Sequence, residues 1–390
     1  MLICILGRQP RLGLAELEAL FGAPAVKPLG TEAALLDIPL ASITHKNLGS
    51  VIKVSEVATI VPSADWREVS ARSLVFLTDM LSHREGGKIS FGISAYGSTA
   101  NPKQLSSLAF ELKKSLKENG RSVRTIPNTT SALNSAQVLH NNLDRGTNAE
   151  ILLVCDKRQT YIALTRSVQN VASYSRRDFE RPKRDARVGM LPPKLAQIMI
   201  NLAKPAPGTT VLDPFCGTGV VLMEAALQGY GIEGSDLNPK MIEYTTTNLE
   251  WLSRVYRTPP ANWHLQTADA TSQNWGNAIQ SVVCETYLGR PLVSLPNHET
   301  MSMIIADCNT IIRKFLINLR PQLAETARCC VAVPAWATQK GFLHLPLVDD
   351  LEDMGYNRIR FSYATFDELI YHRSDQIVAR ELLVLTPRKE

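Results

Sequence analysis

The chain has 390 residues, of which 45% are hydrophobic and 20% charged, and its net charge is +5. This length predicts two or three domains that each bury a core of their own. A modest positive charge permits nucleic-acid binding without requiring it. No apolar run reaches the ~20 residues that a membrane-spanning helix needs, and residues 1–6 carry no basic leader, so we expect no membrane partner and a cytoplasmic protein.

The seven cysteines are an odd number and mostly fall in apolar segments, which is typical of reduced, buried thiols in a cytosolic protein. Their spacing contains no Cys-x-x-Cys motif, and no paired histidines accompany them. We therefore expect no metal site.

The first 170 residues show two successive α/β patterns. Residues 1–62 predict a small ferredoxin-like module: a first strand, a helix over 13–21, and strands over 33–38 and 51–58. Residues 63–170 predict a second module, whose helix over 105–119 places four leucines on one face. Its other predicted elements are strands over 89–95, 122–124, 151–155 and 161–165 and a helix over 135–143.

The most basic segment spans residues 166–194, and within it a linker over residues 171–191 joins this region to the next domain. Aromatic residues alternate in it with cations, of which we take five as candidate RNA contacts: Arg176, Arg177, Arg181, Lys183 and Arg184. Charged linkers are common, so solvated surface charge is the alternative. Because the segment joins two domains, we favour a hinge that contacts phosphates and sets how RNA lies between them.

A glycine-containing turn after the linker predicts a binding site for a nucleoside cofactor. An apolar strand ends at Asp213, and a turn with Gly217 and Gly219 leads into a helix over residues 220–227. A dinucleotide-binding turn would have a third glycine where Leu222 stands. S-adenosylmethionine carries an ammonium and a sulfonium but no phosphate. The carboxylate before the glycines therefore favours S-adenosylmethionine over NAD.

Two further strand ends carry carboxylates suited to the rest of an adenosine. The strand over 231–236 ends at Asp236, which can accept both ribose hydroxyls, and a strand over 263–270 contains Asp269, which can accept the adenine amino group. A helix over 239–251 separates the two strands. Each Asp alone could merely cap the element that follows it. Three carboxylates in this order favour one cofactor site, which we also expect Phe215, Leu237 and Ala270 to line.

At this point the sequence resembles the THUMP-containing tRNA guanosine N2-methyltransferases. The resemblance depends on Asp213-Pro-Phe-Cys-Gly-Thr-Gly219, on the preceding Gly189-Met-Leu-Pro-Pro-Lys-Leu-Ala196 and on the linker Tyr174-Ser-Arg-Arg-Asp-Phe-Glu-Arg-Pro-Lys-Arg184. It implies that residues 63–170 form a THUMP-like RNA-binding module. It also implies that residues 192–390 form a Rossmann-like, seven-stranded methyltransferase domain. In this family, S-adenosylmethionine methylates an exocyclic amine of a base in tRNA.

The chain departs from the family at the end of the fourth strand of this domain. Where the family has Asp-Pro-Pro-Tyr, this sequence has Glu285-Thr-Tyr287-Leu, followed by Gly-Arg. An exocyclic amine is a poor nucleophile, so it needs an acceptor for its N–H groups and an aromatic ring to hold the base. We assign Glu285 and Tyr287 to these roles. An inactive RNA-binding protein that keeps the cofactor pocket is one alternative, and an adenine-N6 or cytosine-N4 methyltransferase is another.

The last third of the chain supplies the remaining elements of the expected sheet. We predict a helix over 299–319 and strands over 329–334, 358–364 and 378–385, with the last two strands antiparallel. His372 falls in the turn between them, and we do not assign it as a general base. The sequence predicts no oligomeric state and does not indicate whether a small activator subunit takes part.

Overall fold

The computed structural model describes residues 1–98, 100–185, 191–257, 263–276, 278–292, 294–373 and 375–388. Arg187, Gly189 and Met190 of the predicted linker and motif lie outside these ranges. The chain divides into two compact units, which are described separately. Unit 1 comprises Met1–Leu14, Phe21–Lys46 and Ser50–Ala172, and unit 2 comprises Ala15–Leu20, Asn47–Gly49 and Ser173–Glu390.

Unit 1 is built on one eight-stranded sheet with the order β2-β3-β1-β4-β8-β7-β5-β6. Its strands are β1 Leu2–Leu6, β2 Val26–Leu29, β3 Ala33–Leu36, β4 Val51–Val61, β5 Ile89–Tyr96, β6 Val123–Thr125, β7 Ala149–Cys155 and β8 Thr160–Val168. The helices of this part of the chain are α1 Pro10–Phe21, whose residues 15–20 belong to unit 2, α2 Trp66–Ser82, α3 Pro102–Glu118 and α4 Ser135–His140.

Two features of unit 1 bear on the sequence predictions. Strand β4 pairs with both β1 and β8, so the predicted modules 1–62 and 63–170 share one continuous sheet. Helix α3 buries the four leucines expected on one face, and Asn101 caps it by accepting the backbone N–H of Gln104. Helix α2 was not predicted. Its buried residues Val69, Ser73, Leu77 and Leu81 are spaced by four positions, as on the inner face of a helix.

Unit 2 contains the remaining elements. Its helices are α5 Val171–Ser175, which begins two residues before it, α6 Pro193–Ala203, α7 Val220–Leu227, α8 Pro239–Tyr256 and α9 His298–Leu319. Its strands are β9 Thr210–Asp213, β10 Gly231–Asp236, β11 Trp263–Thr267, β12 Ile279–Glu285, β13 Leu323–Thr338, β14 Gly341–Leu343, β15 Tyr356–Arg358, β16 Ile370–Tyr371 and β17 Val378–Pro387. A single π-helical turn, Arg176–Glu180, follows α5.

The main sheet of unit 2 has the order β11-β10-β9-β12-β13-β17-β15, with β14 and β16 as short additions. Strands β9 to β13 are parallel, and β17 is antiparallel to its neighbours. This arrangement confirms the predicted Rossmann-like domain with seven main strands. The strand order reverses between β9 and β12, and in such sheets ligands bind at the carboxyl ends of the strands beside this reversal.

The predicted strand over residues 358–364 is wrong in most of its length. Strand β15 ends at Arg358, although it does pair antiparallel with β17 as expected. Beyond it, the carboxylate of Glu18 accepts the backbone N–H of Ser362 at 2.8 and 2.9 Å and that of Tyr363 at 3.3 Å. These N–H groups therefore bond to a side chain instead of to a neighbouring strand.

Among the described helices, none has the length and apolar character needed to cross a membrane. All seven cysteines are buried free thiols.

Candidate active site

A cavity of about 590 Å³ opens at the carboxyl ends of β9, β10 and β12, beside the reversal of strand order. It brings together nine of the ten residues predicted for cofactor binding and catalysis: Asp213, Phe215, Gly217, Asp236, Leu237, Asp269, Ala270, Glu285 and Tyr287. Parallel strands that end side by side deliver their terminal residues to one edge of the sheet. Residues more than 70 positions apart in sequence therefore share one wall.

Asp213 lies at the end of β9, and its side chain is almost fully buried. One carboxylate oxygen accepts the backbone N–H of Phe215 at 3.1 Å, which fixes the start of the turn. Burial raises the pKa of Asp213 well above its usual range, and the nearby carboxylates of Asp236 and Glu285 raise it further. A cationic ligand in the cavity would relieve this accumulation of negative charge.

Asp236 lies at the end of β10 and connects two turns. Oδ2 accepts the backbone N–H of Gly217 at 3.0 Å, and Oδ1 accepts that of Asn238 at 2.9 Å. Burial raises the pKa of Asp236, and these two hydrogen bonds oppose the shift. The glycine turn is thus held against the carboxylate predicted to bind a ribose.

The two glycines of the turn have different structural requirements. Gly217 has φ +52° and lines the cavity, where a Cβ would meet only the carbonyl oxygen of Phe215 at 3.9 Å. Gly219 has φ +82°, and a Cβ there would lie 2.8 Å from Cγ2 of Thr245 on α8. Gly219 is not among the residues that line the cavity, and its lack of a side chain makes room for the packing of α8. Its approach to a cofactor stays a prediction. Thr245 also donates a hydrogen bond to the carbonyl oxygen of Gly217 at 2.8 Å.

Asp269 lies two residues beyond β11 and is exposed at the cavity rim. Its Oδ1 accepts the backbone N–H of Thr271 at 2.9 Å and the hydroxyl of the same residue at 2.8 Å. These bonds lower the pKa of Asp269. They are the bonds of a residue that caps a turn, which is the alternative to adenine binding for this carboxylate. Binding of adenine by Asp269 stays a prediction. Ala270 is buried beside it, and Leu237 is largely exposed.

Glu285 ends β12 and forms an ion pair with Arg380 of β17, whose Nε donates to Oε1. Burial raises the pKa of Glu285, whereas Arg380 opposes the rise. Among the described residues, none donates a hydrogen bond to Oε2 of Glu285. One carboxylate oxygen is thus fixed by the protein, and the second stays available at the cavity wall.

Thr286, the residue after Glu285, stands where the family has a proline and fixes the backbone there by hydrogen bonds. Thr286 is buried and donates both its backbone N–H and its hydroxyl to the carbonyl oxygen of Ala332 on β13, each at 3.0 Å. Proline has no N–H and could not make the first bond. Tyr287 follows and is 44% exposed. A ring in this position is accessible to a base that enters the cavity.

The structure corrects part of the predicted RNA contact in the linker. The guanidinium groups of Arg177 and Arg181 are buried, with 5% and 2% of each residue exposed. Arg177 donates to Glu224 of α7 at 2.5 Å and lies over the ring of Tyr174, 4.6 Å from its centroid. Arg181 donates to the carbonyl oxygen of Arg177 at 3.0 Å. Buried side chains held in this way are not accessible to RNA phosphates.

The other three linker cations are accessible: Arg176 and Arg184 are exposed, and Lys183 is partly buried. Arg176 is exposed and pairs with Glu180 at 3.3 Å. The guanidinium carbon of Arg184 lies 5.3 Å from the ring centroid of Phe179, and Nζ of Lys183 lies 5.2 Å from that of Tyr244 on α8.

Within the described ranges, no group of three or more His, Cys, Asp or Glu side chains is arranged to hold a metal ion.

Comparison with known proteins gives matches to one segment of the sequence and to the fold. Residues 181–301 match the family described as UPF0020, RMKL-like, methyltransferase domain. A segment of 146 residues is 30% identical to tRNA (guanine(10)-N2)-dimethyltransferase of Methanothermobacter thermautotrophicus and covers 37% of this chain and 39% of that protein. A segment of 62 residues is 50% identical to the protein of the same name from Methanocaldococcus jannaschii, covering 16% and 18%. The chain thus matches less than half the length of these relatives.

Solved structures resemble the whole chain in fold. TrmN from Thermus thermophilus aligns with a TM-score of 0.51 at 15% identity over 99% of both chains. SMU.472, a putative methyltransferase complexed with SAH, aligns with a TM-score of 0.51 at 11% identity over 100% of this chain and 98% of that one. The predicted resemblance to tRNA guanosine N2-methyltransferases is confirmed for the segment that includes residues 181–301. The THUMP-like module over residues 63–170 stays a prediction.

Proposed function

We propose that this protein is an S-adenosylmethionine-dependent RNA methyltransferase that methylates the N2 amine of a guanosine in tRNA. The observation that carries the proposal is the convergence of Asp213, Asp236 and Glu285 on one cavity at the reversal of strand order. The segment matches to tRNA (guanine(10)-N2)-dimethyltransferases support the substrate class.

The residues of the cavity fit S-adenosylmethionine. Asp213 and the backbone around Gly217 would hold the cationic methionine end, Asp236 the ribose hydroxyls, and Asp269 with Ala270 the adenine. Burial raises the pKa of both Asp213 and Asp236. The positive charge of this ligand would stabilise their ionised forms. Bound there, the cofactor supplies an electrophilic methyl group.

The end of β12 supplies what an exocyclic amine requires. Oε2 of Glu285 would accept an N–H of the amine and orient the nitrogen lone pair towards the methyl group. The ring of Tyr287 would stack on a base taken out of the RNA helix. A carboxylate at this position also stabilises the positive charge that develops on nitrogen during transfer.

One assay distinguishes this function from its alternatives. The protein is incubated with unmodified bulk tRNA and methyl-labelled cofactor, and the digested nucleosides are analysed by mass. We expect label in N2-methylated guanosine. Label in N6-methyladenosine or N4-methylcytidine would assign a different base, and binding of tRNA and cofactor without label would favour an inactive RNA-binding protein.

We expect Asp236→Ala to weaken S-adenosylmethionine binding by about 1.5–3 kcal/mol, because the ribose hydroxyls lose a charged acceptor. Calorimetry with purified protein measures the change. Glu233→Ala, three residues earlier on β10 and paired with His264, is the control and should bind the cofactor like the parent. Unchanged affinity in a folded Asp236→Ala protein would remove this residue from the site.

We further propose that tRNA contacts a surface formed by Phe179, Lys183, Arg184, Lys240 and Tyr244, which we call the cation–aromatic surface. Phe179 is 60% exposed, and the amino groups of Lys183 and Lys240 each lie 5.2 Å from the ring centroid of Tyr244. Helix α8 starts two residues after Leu237, which lines the cavity. Cations beside accessible rings suit phosphates and unstacked bases together.

We expect Lys183→Gln combined with Lys240→Gln to lower tRNA affinity and to reduce the slope of log affinity against log salt by about one to two units, since each lost phosphate contact accounts for ~0.9. Titrations at several salt concentrations measure the slope. Lys204→Gln with Lys340→Gln removes the same charge from exposed positions elsewhere in unit 2 and is the control. Equal slopes for the two double variants would exclude this surface.

A further inference from the structure

The ion pair between Arg380 and Glu285 crosses the central strand β13. Glu285 is aligned with Ala332 of β13, and Arg380 with Pro334 of the same strand. Ala332 and Pro334 are two residues apart, so both side chains of the ion pair lie on the same face of the sheet. Only 6% of Arg380 is exposed, and the same strand continues as a buried apolar run from Leu382 to Leu385.

This ion pair uses only one of the two carboxylate oxygens of Glu285. Arg380 donates through Nε to Oε1, and the described residues provide no hydrogen bond for Oε2. A glutamate side chain has three rotatable bonds, and the ion pair removes most of their freedom. Glu285 has one methylene more than the aspartate found in the tRNA guanosine N2-methyltransferases that the sequence resembles. Arg380 compensates for this extra length, because it determines where the carboxylate lies.

A second buried ion pair involves the same strand β17. It shows that burial in an ion pair does not by itself leave a carboxylate oxygen without a hydrogen bond. The next residue, Glu381, accepts from Arg358 of β15 at 2.7 Å and from His344 at 2.6 Å, so both of its oxygens are used. None of these three residues lines the cavity. Glu381 is a fully paired carboxylate of the fold, whereas Glu285 keeps one oxygen at the site.

We propose that Arg380 is a positioning residue for methyl transfer: it fixes Oε1 of Glu285 so that Oε2 accepts the N–H of the target amine. This inference rests on the proposed function. The nitrogen lone pair forms the new C–N bond while the C–S bond breaks and its electrons return to sulfur, which leaves a neutral thioether. The nitrogen is then cationic and loses one proton to Oε2 of Glu285, which passes it to solvent.

The titratable groups around Glu285 give the proposal a second consequence. Arg380 lies on β17, Asp213 on β9, and Cys284 precedes Glu285 on β12. Arg380 is the cation among them and opposes the rise that burial causes in the pKa of Glu285. Loss of Arg380 should therefore displace the carboxylate and also raise its pKa.

The experiment compares Arg380→Gln and Arg380→Lys with Arg358→Gln, which removes from the neighbouring ion pair an arginine whose side chain is 11% exposed, against 7% for Arg380. In single-turnover reactions on a methylatable tRNA, we expect Arg380→Gln to be about 10²-fold slower, with cofactor and tRNA dissociation constants within about twofold of the parent. The acid limb of its rate profile should move to higher pH. Arg380→Lys should recover part of the rate, and Arg358→Gln should keep both the rate and the limb.

A rate and pH profile of Arg380→Gln that match those of Arg358→Gln would overturn the proposal, because the ion pair would then be structural only. The titration of Glu285, followed by infrared difference spectroscopy against Glu285→Gln, gives a readout that does not depend on turnover. If the parent methylates no RNA, the proposed function fails, and this titration decides the positioning by itself. If the pKa of Glu285 is the same in Arg380→Gln as in the parent, the positioning role is overturned. A higher pKa of Glu285 in Arg380→Gln supports it.

Discussion

Replacement of Glu285 by glutamine should slow methyl transfer by on the order of 10²-fold while cofactor and tRNA binding stay close to those of the parent. Glutamine keeps the size of the side chain and one acceptor oxygen, but it removes the negative charge. That charge matters most when the amine nitrogen becomes cationic, so the loss acts on the transition state and not on the ground state.

Single-turnover rates with saturating cofactor measure this effect, and equilibrium binding of cofactor and tRNA is measured in parallel. Glu381→Gln is the matched control, because Glu381 is also a buried carboxylate paired with an arginine but does not line the cavity. A Glu285→Gln protein that transfers methyl groups as fast as the parent would exclude the catalytic role of Glu285.

The rate of the parent should also depend on pH in a defined direction. Burial raises the pKa of Glu285 above the ordinary glutamate range, and only the ionised carboxylate can accept the amine proton. The rate should therefore fall as the pH is lowered through this raised pKa. A profile with no acid limb above the ordinary range of glutamate would contradict the assignment.

The sequence predicted which strand ends meet at the cavity below β9 and β10 because these residues follow a local rule. Their binding of a cofactor stays a proposal. Helix α7 and strand β10 have the predicted bounds, residues 220–227 and 231–236, since glycines and a carboxylate mark where each begins or ends. Strand ends meet at one edge of a parallel sheet, so Asp213 and Asp236 could be placed together without knowledge of distant contacts.

The other half of the site depends on residues far apart in the chain. Arg380 is 95 positions from Glu285 and was not predicted. Its one signal in the sequence is the pair Arg380-Glu381 inside an apolar strand, where charged side chains are rarely buried without a partner. Similarly, Ser362 and Tyr363 of the predicted strand donate their backbone N–H groups to Glu18, more than 340 positions away.

The linker shows why composition alone misjudges arginines. A run of cations indicated RNA contact for all five, but the helical and π-helical turns over residues 171–180 direct Arg177 to the interior and Arg176 to solvent. The partner that holds Arg177, Glu224, lies in the middle of α7, a helix otherwise rich in apolar residues. A buried glutamate in such a helix requires a cation, and this requirement is visible in the sequence only when the helix is known to be buried.

We accordingly expect Arg177→Ala to destabilise unit 2 by about 3–5 kcal/mol, since it removes the cation that donates to the buried carboxylate of Glu224. Burial already raises the pKa of Glu224 and the ion pair opposes this rise, so the variant should bind a proton at Glu224 and lose less stability at low pH. Urea unfolding followed by tryptophan fluorescence reports mainly on unit 2, which holds four of the five tryptophans.

Two further variants separate a structural role of Arg177 from RNA contact. Arg176→Ala changes an exposed arginine one position away and should leave the unfolding free energy within about 0.5 kcal/mol of the parent. Arg177→Met with Glu224→Leu removes both charges and should recover much of the lost stability, because an apolar pair of similar volume can replace a buried ion pair. If Arg177→Ala were as stable as the parent and bound tRNA with a smaller salt slope, Arg177 would be an RNA contact after all. The buried ion pair predicts the reverse, a large loss of stability with the salt slope unchanged.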